Sequence, residues 1–474
     1  MNPLTFVPNT GAGYIADTAA NDFHVPQITA SQLRVDIISY FGSFDYDYNK
    51  RFGFVASARR DASSRFATAV TNSEIFWSLG GRWNIEEESF MKSLDAIKVL
   101  KLRGSIGTIG NQRIFPGTIY AGINPPAFAD TFANTNNAYN SGQGYGITFG
   151  FPGLKWETTR QYNFGLDFEL LKNSRLRGSV EYYNKKTIDV FLDQPLSPST
   201  GTTTLRLNSD AYITNKGYEA TLAWDVVKNT NFSFTLNANG AYNKNTIDGI
   251  KANGGLIGEG TVNQSTNGHP IGEFIVYHYL GVNPVNGELL FEDINGNPTE
   301  TPTAADQRAT GKTSTPVYQG GFGFDLDYKG FFLGTLFTYA FDVWRFDFDR
   351  ENLYDPDNIG TFNVSSDLLN AWTPTNTTSN IPSTNAGNRA LDDASDRFLD
   401  NADYIRLRNV KIGYKFPKRF LDKTFFTDVS ITVQGENLVN FTKWQGFDPE
   451  SDRDADVYGY PTPKQVTFGL DLKF

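Results

Sequence analysis

Strict alternation of apolar and polar residues is the feature that most limits how this chain can fold. The last eleven residues, KQVTFGLDLKF (464–474), place an apolar side chain on every second position, with threonine, glycine, aspartate and lysine between them. Because successive side chains of a β-strand point to opposite faces, the pattern predicts a strand with one apolar and one polar face. Such a strand can face the core of a soluble sandwich or the lipid of a membrane, so this segment alone leaves both architectures open.

The composition agrees with strands that separate an apolar surface from a wet one. Aromatic residues make up 15% of the 474 residues, yet the mean hydropathy is −0.39. The longest apolar runs are far shorter than the roughly 18 residues that a spanning helix needs. The 44 glycines suit a chain with many turns. An all-β fold is therefore expected.

Several classes of function are disfavoured by residue content. A net charge of −10 argues against nucleic acid as a partner, because phosphate contacts need a basic face. The chain has no cysteine, and its three histidines are interpreted as turn or surface residues, since His269 and His278 lack helical metal-ligand spacing. Nucleotide, serine-hydrolase and zinc-protease motifs are absent, and no carboxylate pair marks a glycosidase, so the chain is not expected to be an enzyme.

The alternating pattern recurs along the whole chain and predicts about 13 antiparallel spanning strands. Several exceed the mean soluble strand of about 5–6 residues. The predicted strands are 33–48, 52–62, 74–85, 96–109, 156–171, 174–192, 206–226, 231–246, 317–328, 331–346, 403–416, 427–438 and 464–474.

The connections between these strands favour a membrane barrel over a sandwich. Short turns alternate with long segments, as in outer-membrane barrels with tight periplasmic turns and long outer loops. The long segments are 110–155, 247–316, 347–402 and 439–463. The segment 273–282 also reads as a strand, but one extra crossing would put a short turn on the long-loop side. It is therefore predicted to lie in an outer loop.

Six stretches in order along the chain resemble the C-terminal half of SusC/RagA-type TonB-linked outer-membrane transporters. The likeness runs from about residue 31 to Phe474. The stretches are SYFGSFDYDYNKRFGFVASARRDASSRF (39–66), LKLRGSIGTIGNQ (100–112), LKWETTRQYNFGLDF (154–168), PIGEFIVYHYLGVNPVNGELLFEDINGN (270–297), DYIRLRNVKIGYKFP (403–417) and GENLVNFTKWQGFDPE (435–450).

This resemblance implies a 22-stranded transmembrane β-barrel with an N-terminal plug, of which the chain supplies the C-terminal part. Residues 1–30 are expected to form a leading loop segment and 31–474 the barrel portion. The plug, the TonB box and about nine strands are expected to precede residue 1. The implied location is the outer membrane of a Gram-negative, Bacteroidetes-like cell, and the implied partners are membrane lipid, TonB and a SusD-like surface lipoprotein that acts as a lid.

Three functions follow from these expectations. The first is TonB-dependent import of a nutrient, an oligosaccharide or a peptide, without a cofactor. The second is a passive porin or a structural barrel subunit of a surface assembly. The third is a surface hydrolase that uses the barrel as an anchor. A plug with a TonB box upstream would favour the first over the others.

Aromatic residues in the outer loops are the candidate substrate-binding residues, because rings stack on sugar faces and peptide side chains. The candidates are Trp444, Tyr354 and Trp372. Rings at the ends of strands also form the interfacial girdle of a barrel, and that interpretation is preferred for Trp344.

One outer-loop motif has the oxygen ligands of a metal site. EDINGN (292–297) offers Asp293, Asn295 and Asn297 at alternate positions around a glycine, as in the first half of a calcium loop. The bidentate glutamate of such a loop is lacking, since Glu300 is too near, and Asx-rich turns also occur without metal. Calcium and a metal-free turn both remain open.

Three structural details are also predicted. Phe468, Leu470 and Leu472 should face lipid. A β-bulge is expected near Arg408–Asn409, because the apolar positions change from odd to even there. An odd run of antiparallel strands would bring its two ends together parallel, which antiparallel bacterial barrels avoid, so both outer strands should pair with other β-structure.

Overall fold

The computed structural model describes residues 35–67, 72–114, 130–135, 144–200, 204–251, 256–257, 262–422, 424–450 and 461–474. The expected leading segment 1–30 lies outside these residues. One large antiparallel sheet dominates the described part. Its thirteen strands are β1 (Ile37–Tyr48), β2 (Phe52–Ser63), β3 (Ser73–Asn84), β4 (Ile97–Asn111), β5 (Glu157–Leu170), β6 (Leu176–Ile188), β7 (Tyr212–Lys228), β8 (Phe232–Asp248), β9 (Tyr318–Tyr328), β10 (Phe331–Phe341), β11 (Tyr404–Lys415), β12 (Asp428–Thr442) and β13 (Gln465–Lys473).

Each strand pairs antiparallel with the next along the chain, and β1 and β13 form the two ends of the sheet. This arrangement confirms the predicted all-β fold and the predicted number of strands. The sheet is open, since no ladder joins β1 to β13 among the described residues.

All connections longer than twelve residues lie at one edge of the sheet, and the longest are those that the sequence predicts. One edge of the sheet carries the connections 49–51, 85–96, 171–175, 229–231, 329–330 and 416–427, and the other carries 64–72, 112–156, 189–211, 249–317, 342–403 and 443–464. The shortest turn has positive φ at both residues, +48° at Lys329 and +97° at Gly330. A two-residue type I′ turn requires positive φ at both of its central residues, and its backbone twist matches the right-handed twist of the flanking strands. The turn at Lys329–Gly330 fits this type.

The long connections fold into small sheets and short helices of their own. The small sheets comprise Thr131–Thr135 with Gly144–Thr148; Phe191–Pro195 with Thr204–Asn208; Leu256–Ile257, Asn263–Thr266, Glu273–Val276 and Arg308–Thr313; Tyr279–Val282, Leu289–Glu292 and Pro298–Thr299; and Trp344–Phe346 with Leu399–Asn401. The segment 273–282 is thus split between two small sheets outside the large one, which confirms its predicted placement.

Helices are short and few in the described residues. The α-helices are Phe348–Tyr354 and Lys418–Leu421, and the 3₁₀ turns are Ile85–Glu87, Lys172–Ser174, Pro198–Thr200, Ala304–Asp306, Pro356–Asn358, Ser366–Asn370 and Arg389–Ala394. Within this described part, none of the helices combines the length and apolar character needed to cross a membrane.

Five predicted strand ends are wrong by four residues or more. The first strand, predicted from 33, starts at Ile37, and the strand predicted to stop at 438 continues to Thr442. The strand predicted over 174–192 stops at Ile188, and the strand predicted from 206 starts at Tyr212. Residues between them include a separate hairpin, in which Phe191–Pro195 pairs with Thr204–Asn208, and its second strand continues the alternation. The strand predicted over 331–346 stops at Phe341, because Asp342 takes a φ of +55° and Trp344–Phe346 pairs instead with Leu399–Asn401.

The predicted bulge lies where expected. Leu336 and Phe337 of β10 pair with Asn409 and Leu407 of β11, so Arg408 is the extra residue. The ladder between β11 and β12 shifts at the same place. The bulge keeps Ile405 and Leu407 on the same face as the even-numbered apolar residues that follow.

The apolar side chains of the large sheet form one exposed surface. Phe164, Tyr218, Phe331 and Leu470 each expose about half or more of their surface, and Phe468 exposes 79%. A soluble domain would cover a surface of this kind, whereas lipid satisfies it without further protein. The packed apolar clusters lie instead mainly within the long connections, around Phe274 and Phe291.

Candidate functional site

The other face of the large sheet is polar, and its residues run in register across the strands. One row crosses from β5 to β11 through paired positions. Its members are Asp167, Ser179, Thr221, Asn239, Gly321, Thr338 and Arg406. A continuous polar row of this kind is typical of a surface that faces water inside a barrel.

Ion pairs cross-link the polar face between neighbouring strands. The ammonium of Lys101 and the guanidinium of Arg103 lie 2.7 and 3.2 Å from the carboxylate of Asp167. Arg103 also reaches Glu181 at 2.9 Å. Since these groups are about one-quarter to one-third exposed, each pair contributes modestly to stability, but together they hold the side chains flat along the strands.

The bulge at Arg408 concentrates cationic groups on the polar face. Arg406 reaches this face by normal alternation, and the extra residue keeps Arg408 there as well. Arg406 is only 3% exposed. A buried guanidinium needs a carboxylate partner, because an unpaired charge out of water is costly.

The partners come from the last long connection. Residues 444–450, here called the strap, fold back onto the polar face. Arg406 pairs with Asp448, which is 5% exposed, and its Nη1 lies 3.2 Å from Glu450 Oε2. Arg408 pairs with Glu450 and donates to Asn437 Oδ1 at 2.9 Å.

Backbone groups complete the anchoring of the strap. The N–H groups of Glu450 and Thr462 each donate to the Asp448 carboxylate at 3.0 Å. Burial alone would raise the pKa of Asp448, but the hydrogen bonds from Arg406 and from these two N–H groups outweigh it and hold that pKa below its usual range. Asp448 is therefore an ionised anchor, and the four side chains form what is here called the clamp: Arg406, Arg408, Asp448 and Glu450.

A cavity of about 700 Å³ lies between the strap and the polar face. Glu219, Asn239, Gln319 and Thr338 line it from the sheet, and Glu450 lines it from the strap. Pockets of about 300–1,000 Å³ hold ligands in many proteins. The lining offers amide and hydroxyl groups that both donate and accept hydrogen bonds.

The three predicted substrate-binding aromatics occupy separate places. The Tyr354 hydroxyl donates to Asp367 Oδ2 at 2.5 Å, and its ring packs on Phe398. The Trp372 indole N–H donates to the Pro284 carbonyl at 3.1 Å. Both side chains are engaged within the outer loops, and their role in binding substrate stays a prediction.

Trp444 lies closest to the cavity. It belongs to the strap and packs against a small buried cluster of Ala340, Val343 and Ala402, with Tyr404 beside it. Tyr404 and Val343 also line the cavity. Of the three predicted residues, Trp444 is therefore the one placed beside a concave polar site.

Trp344 departs from its predicted place in the interfacial girdle. Its strand is part of a two-stranded sheet beyond the end of β10. The ring packs against the cluster that contains Phe274 and Phe398, and the Lys312 ammonium lies 3.7 Å from its centroid. The indole therefore belongs to the core of the outer loops.

The predicted calcium motif forms a compact turn. Asp293 Oδ1 accepts hydrogen bonds from the backbone N–H groups of Asn295 and Asn297, both at 2.8 Å. Bonding of this kind stabilises the turn by itself. In the part of the chain that the structure describes, no group of three or more histidine or acidic residues is arranged to hold a metal ion. Calcium binding by the carboxylate and the two amides stays a prediction.

Sequence reasoning did not identify a cluster of carboxyl groups in the outer loops. Burial, a side-chain hydrogen bond with Asp393 and repulsion from it raise the pKa of Glu351 to about 8. Burial also raises the pKa of Asp392 to about 6, although Arg397 lies 2.5 Å away. Because the two segments 348–354 and 389–394 are far apart along the chain, no sequence signal joins these groups.

Comparison with known proteins shows which family has a similar sequence. Residues 5–438 match the family model described as TonB dependent receptor-like, beta-barrel. The chain is 31% identical to TonB-dependent receptor P3 of Formosa agariphila, over 93% of this chain and 46% of that protein. It is 28% identical to TonB-dependent receptor SusC of Bacteroides thetaiotaomicron, over 96% of this chain and 45% of that protein.

The fold is also similar to that of a solved transporter. The structure of the RagAB peptide transporter aligns with a TM-score of 0.79 and 27% identity, over 93% of this chain and 48% of that one. The chain thus spans slightly less than half the length of the relatives that it matches. These relatives are named as receptors and a transporter, in agreement with the prediction that the chain is not an enzyme.

Proposed function

Because this chain belongs to the TonB-dependent receptor-like β-barrel family, we propose that it supplies the C-terminal half of an outer-membrane importer. The cargo is an oligosaccharide or a peptide. The main support for this proposal is the thirteen-stranded sheet, which has an exposed apolar face, a polar face and long connections at one edge only. That combination suits strands that separate lipid from a water-filled interior.

The proposal assigns a place to each part of the assembly. Residues 31–474 form the barrel portion, and the remaining strands and the plug pair with it and fill its interior. TonB acts through that remaining part, and a SusD-like lipoprotein covers the outer loops. Two relatives support this arrangement. One is named as the TonB-dependent receptor SusC, and the other is the RagAB peptide transporter. The location is the outer membrane of a Bacteroidetes-like cell, in keeping with relatives from Formosa and Bacteroides.

Energy dependence separates import from passive flow. Cells that carry the full-length protein are compared with cells that lack its gene, using a fluorescent maltooligosaccharide series and a fluorescent peptide series. Import predicts accumulation of one series that stops when a protonophore collapses the inner-membrane gradient. Gene-dependent entry that persists with the protonophore would instead favour the porin, and hydrolysis at the cell surface without uptake would favour the hydrolase.

The lid is tested separately. The full-length protein is purified with an affinity tag under mild detergent, and co-purifying proteins are identified by mass spectrometry. The proposal predicts a lipoprotein in about equal amount that can be labelled with a radioactive fatty acid. Recovery of the barrel without such a lipoprotein, from cells that import the cargo, would remove the lid from the proposal while leaving import intact.

A further inference from the structure

The strap is fixed to the sheet far more firmly than an ordinary surface loop. Its two carboxylates meet two guanidinium groups, and Arg406 and Asp448 are both almost fully buried. Asn437, beside the clamp, also donates from Nδ2 to the Pro463 carbonyl at 3.2 Å, so the returning part of the connection is held near the same point.

The bulge explains why two arginines are available for this purpose. If Arg408 took an ordinary paired position in place of the bulge, the alternation through β11 would change face, and the apolar residues beyond it would turn to the polar side. With the bulge, Arg406 and Arg408 both serve the polar face while Ile405 and Leu407 keep to the apolar one. Bulges commonly re-aim a side chain in this way.

We propose that Arg406 and Arg408 are positioning residues that hold the strap as the inner wall of the 700 Å³ cavity, and so set the width of the cargo path at this depth. The proposal rests on the proposed import function. Because Glu450 is at once a clamp residue and a lining residue, loss of the clamp moves a wall of the cavity directly. A volume of about 700 Å³ is within the range of cavities that hold ligands.

A single introduced cysteine can report the width of the cavity. It has no cysteine, so a single Gln319→Cys provides one thiol within the lining. Leu369→Cys provides a reporter on an outer loop, at a position that is 89% exposed. Any cysteine in the rest of the full-length protein is replaced by serine. Intact cells are treated with a small membrane-impermeant maleimide or with a bulky polyethylene glycol maleimide, and the ratio of the two labelling rates is measured.

Two variants open the clamp from opposite sides. One carries Arg406→Gln with Arg408→Gln on the sheet, and the other carries Asp448→Asn with Glu450→Gln on the strap. Each should raise the bulky-to-small labelling ratio at Gln319→Cys at least tenfold and leave the ratio at Leu369→Cys unchanged.

Arg206→Gln is the matched control. Arg206 forms a two-bonded pair with Asp193, at 2.8 and 2.7 Å, in the hairpin 191–208 away from the strap. Its loss should leave the ratio at Gln319→Cys unchanged. The proposal is overturned if neither clamp variant raises that ratio, or if Arg206→Gln raises it as much. Labelling requires neither cargo nor TonB, so a wrong assignment of import would not change this result.

Discussion

Arg103 and Glu181 form an ion pair of 2.9 Å although a whole strand lies between them. The intervening position is Gly165, which pairs with Arg103 on one side and with Glu181 on the other. A Cβ on Gly165 would lie 2.7 Å from the Arg103 Cζ atom. The glycine therefore provides the gap through which the arginine crosses.

Gly165→Ala should displace the Arg103 guanidinium and lower the unfolding free energy of the barrel by about 1 kcal/mol, the scale of a partly exposed ion pair. Urea titration of the full-length protein in lipid vesicles measures the change. Gly80→Ala is the control, because its Cβ would meet neighbours only at 3.7 Å and beyond. Equal stability of the two variants would show that the crossing over Gly165 contributes nothing.

Leu470→Arg should destabilise the barrel by about 2–4 kcal/mol if the residue faces lipid near the bilayer midplane. Leu470 is paired with Ile431 on the apolar face and is 62% exposed. Thr467→Arg, on the polar face of the same strand, should cost much less. Folding yield into vesicles compares the two, and a similar yield for both would mean that the faces are assigned wrongly.

Insertion of one alanine between Lys411 and Ile412 should prevent assembly. The bulge at Arg408 already absorbs one extra residue in β11, and a second one would turn Ile412 and Tyr414 to the polar face. Insertion of one alanine after Thr377, exposed in a long outer connection, is the control and should be tolerated. Surface display of an epitope-tagged full-length protein measures both. Normal display after the insertion in β11 would contradict the role given to the bulge.

The outer loops should loosen as the pH rises. The pKa of Glu351 is about 8 in the folded loops, above its ordinary value near 4.5, because of burial and Asp393. The folded state therefore binds more protons, and its stability falls as the pH rises between those two values. A tenfold difference in proton affinity between the folded and unfolded states corresponds to about 1.4 kcal/mol.

Glu351→Gln should remove most of this dependence. Hydrogen exchange of the segment 348–354 should quicken from pH 5 to pH 8 in the wild type, after correction for the intrinsic rate, and change much less in the variant. Glu288→Gln is the control for an outer-loop carboxylate of another kind, since the Glu288 carboxylate accepts hydrogen bonds from the backbone N–H groups of Gly387 and Asn388. It should leave the pH profile of the segment 348–354 unchanged. Identical pH profiles for the wild type and Glu351→Gln would refute the assignment.

Alternation in the sequence predicted the large sheet well because period two is a local property. The number of strands, the bulge at Arg408 and the exclusion of 273–282 all follow from the faces that side chains must occupy. Strand ends at Ile188 and Phe341 were missed because another short strand follows each of them, and the sequence does not show that these short strands pair outside the large sheet. The alternation of side chains does not show where a strand leaves the membrane.

The site was harder to predict because its contacts are distant in sequence. Arg406 and Asp448 are 42 positions apart, and only the folded connection brings them together. A partial signal existed in IRLRN (405–409), where two arginines two positions apart must share a face and need carboxylates. The aromatic candidates were chosen by residue type, which does not reveal that Tyr354 and Trp372 are engaged by their own loops.

The backbone pairing of β13 in the full-length protein tests the central claim most directly. Among the described residues, β13 pairs only with β12, and its other edge has no strand beside it. Unpaired backbone groups in lipid cost several kcal/mol each, so a second partner is required in the membrane. An electron cryomicroscopy structure should show residues 465–473 bonded on both edges, the second partner being a strand from outside these 474 residues within one closed barrel. A barrel closed by these thirteen strands alone, or a β13 with one edge open to lipid, would contradict the account.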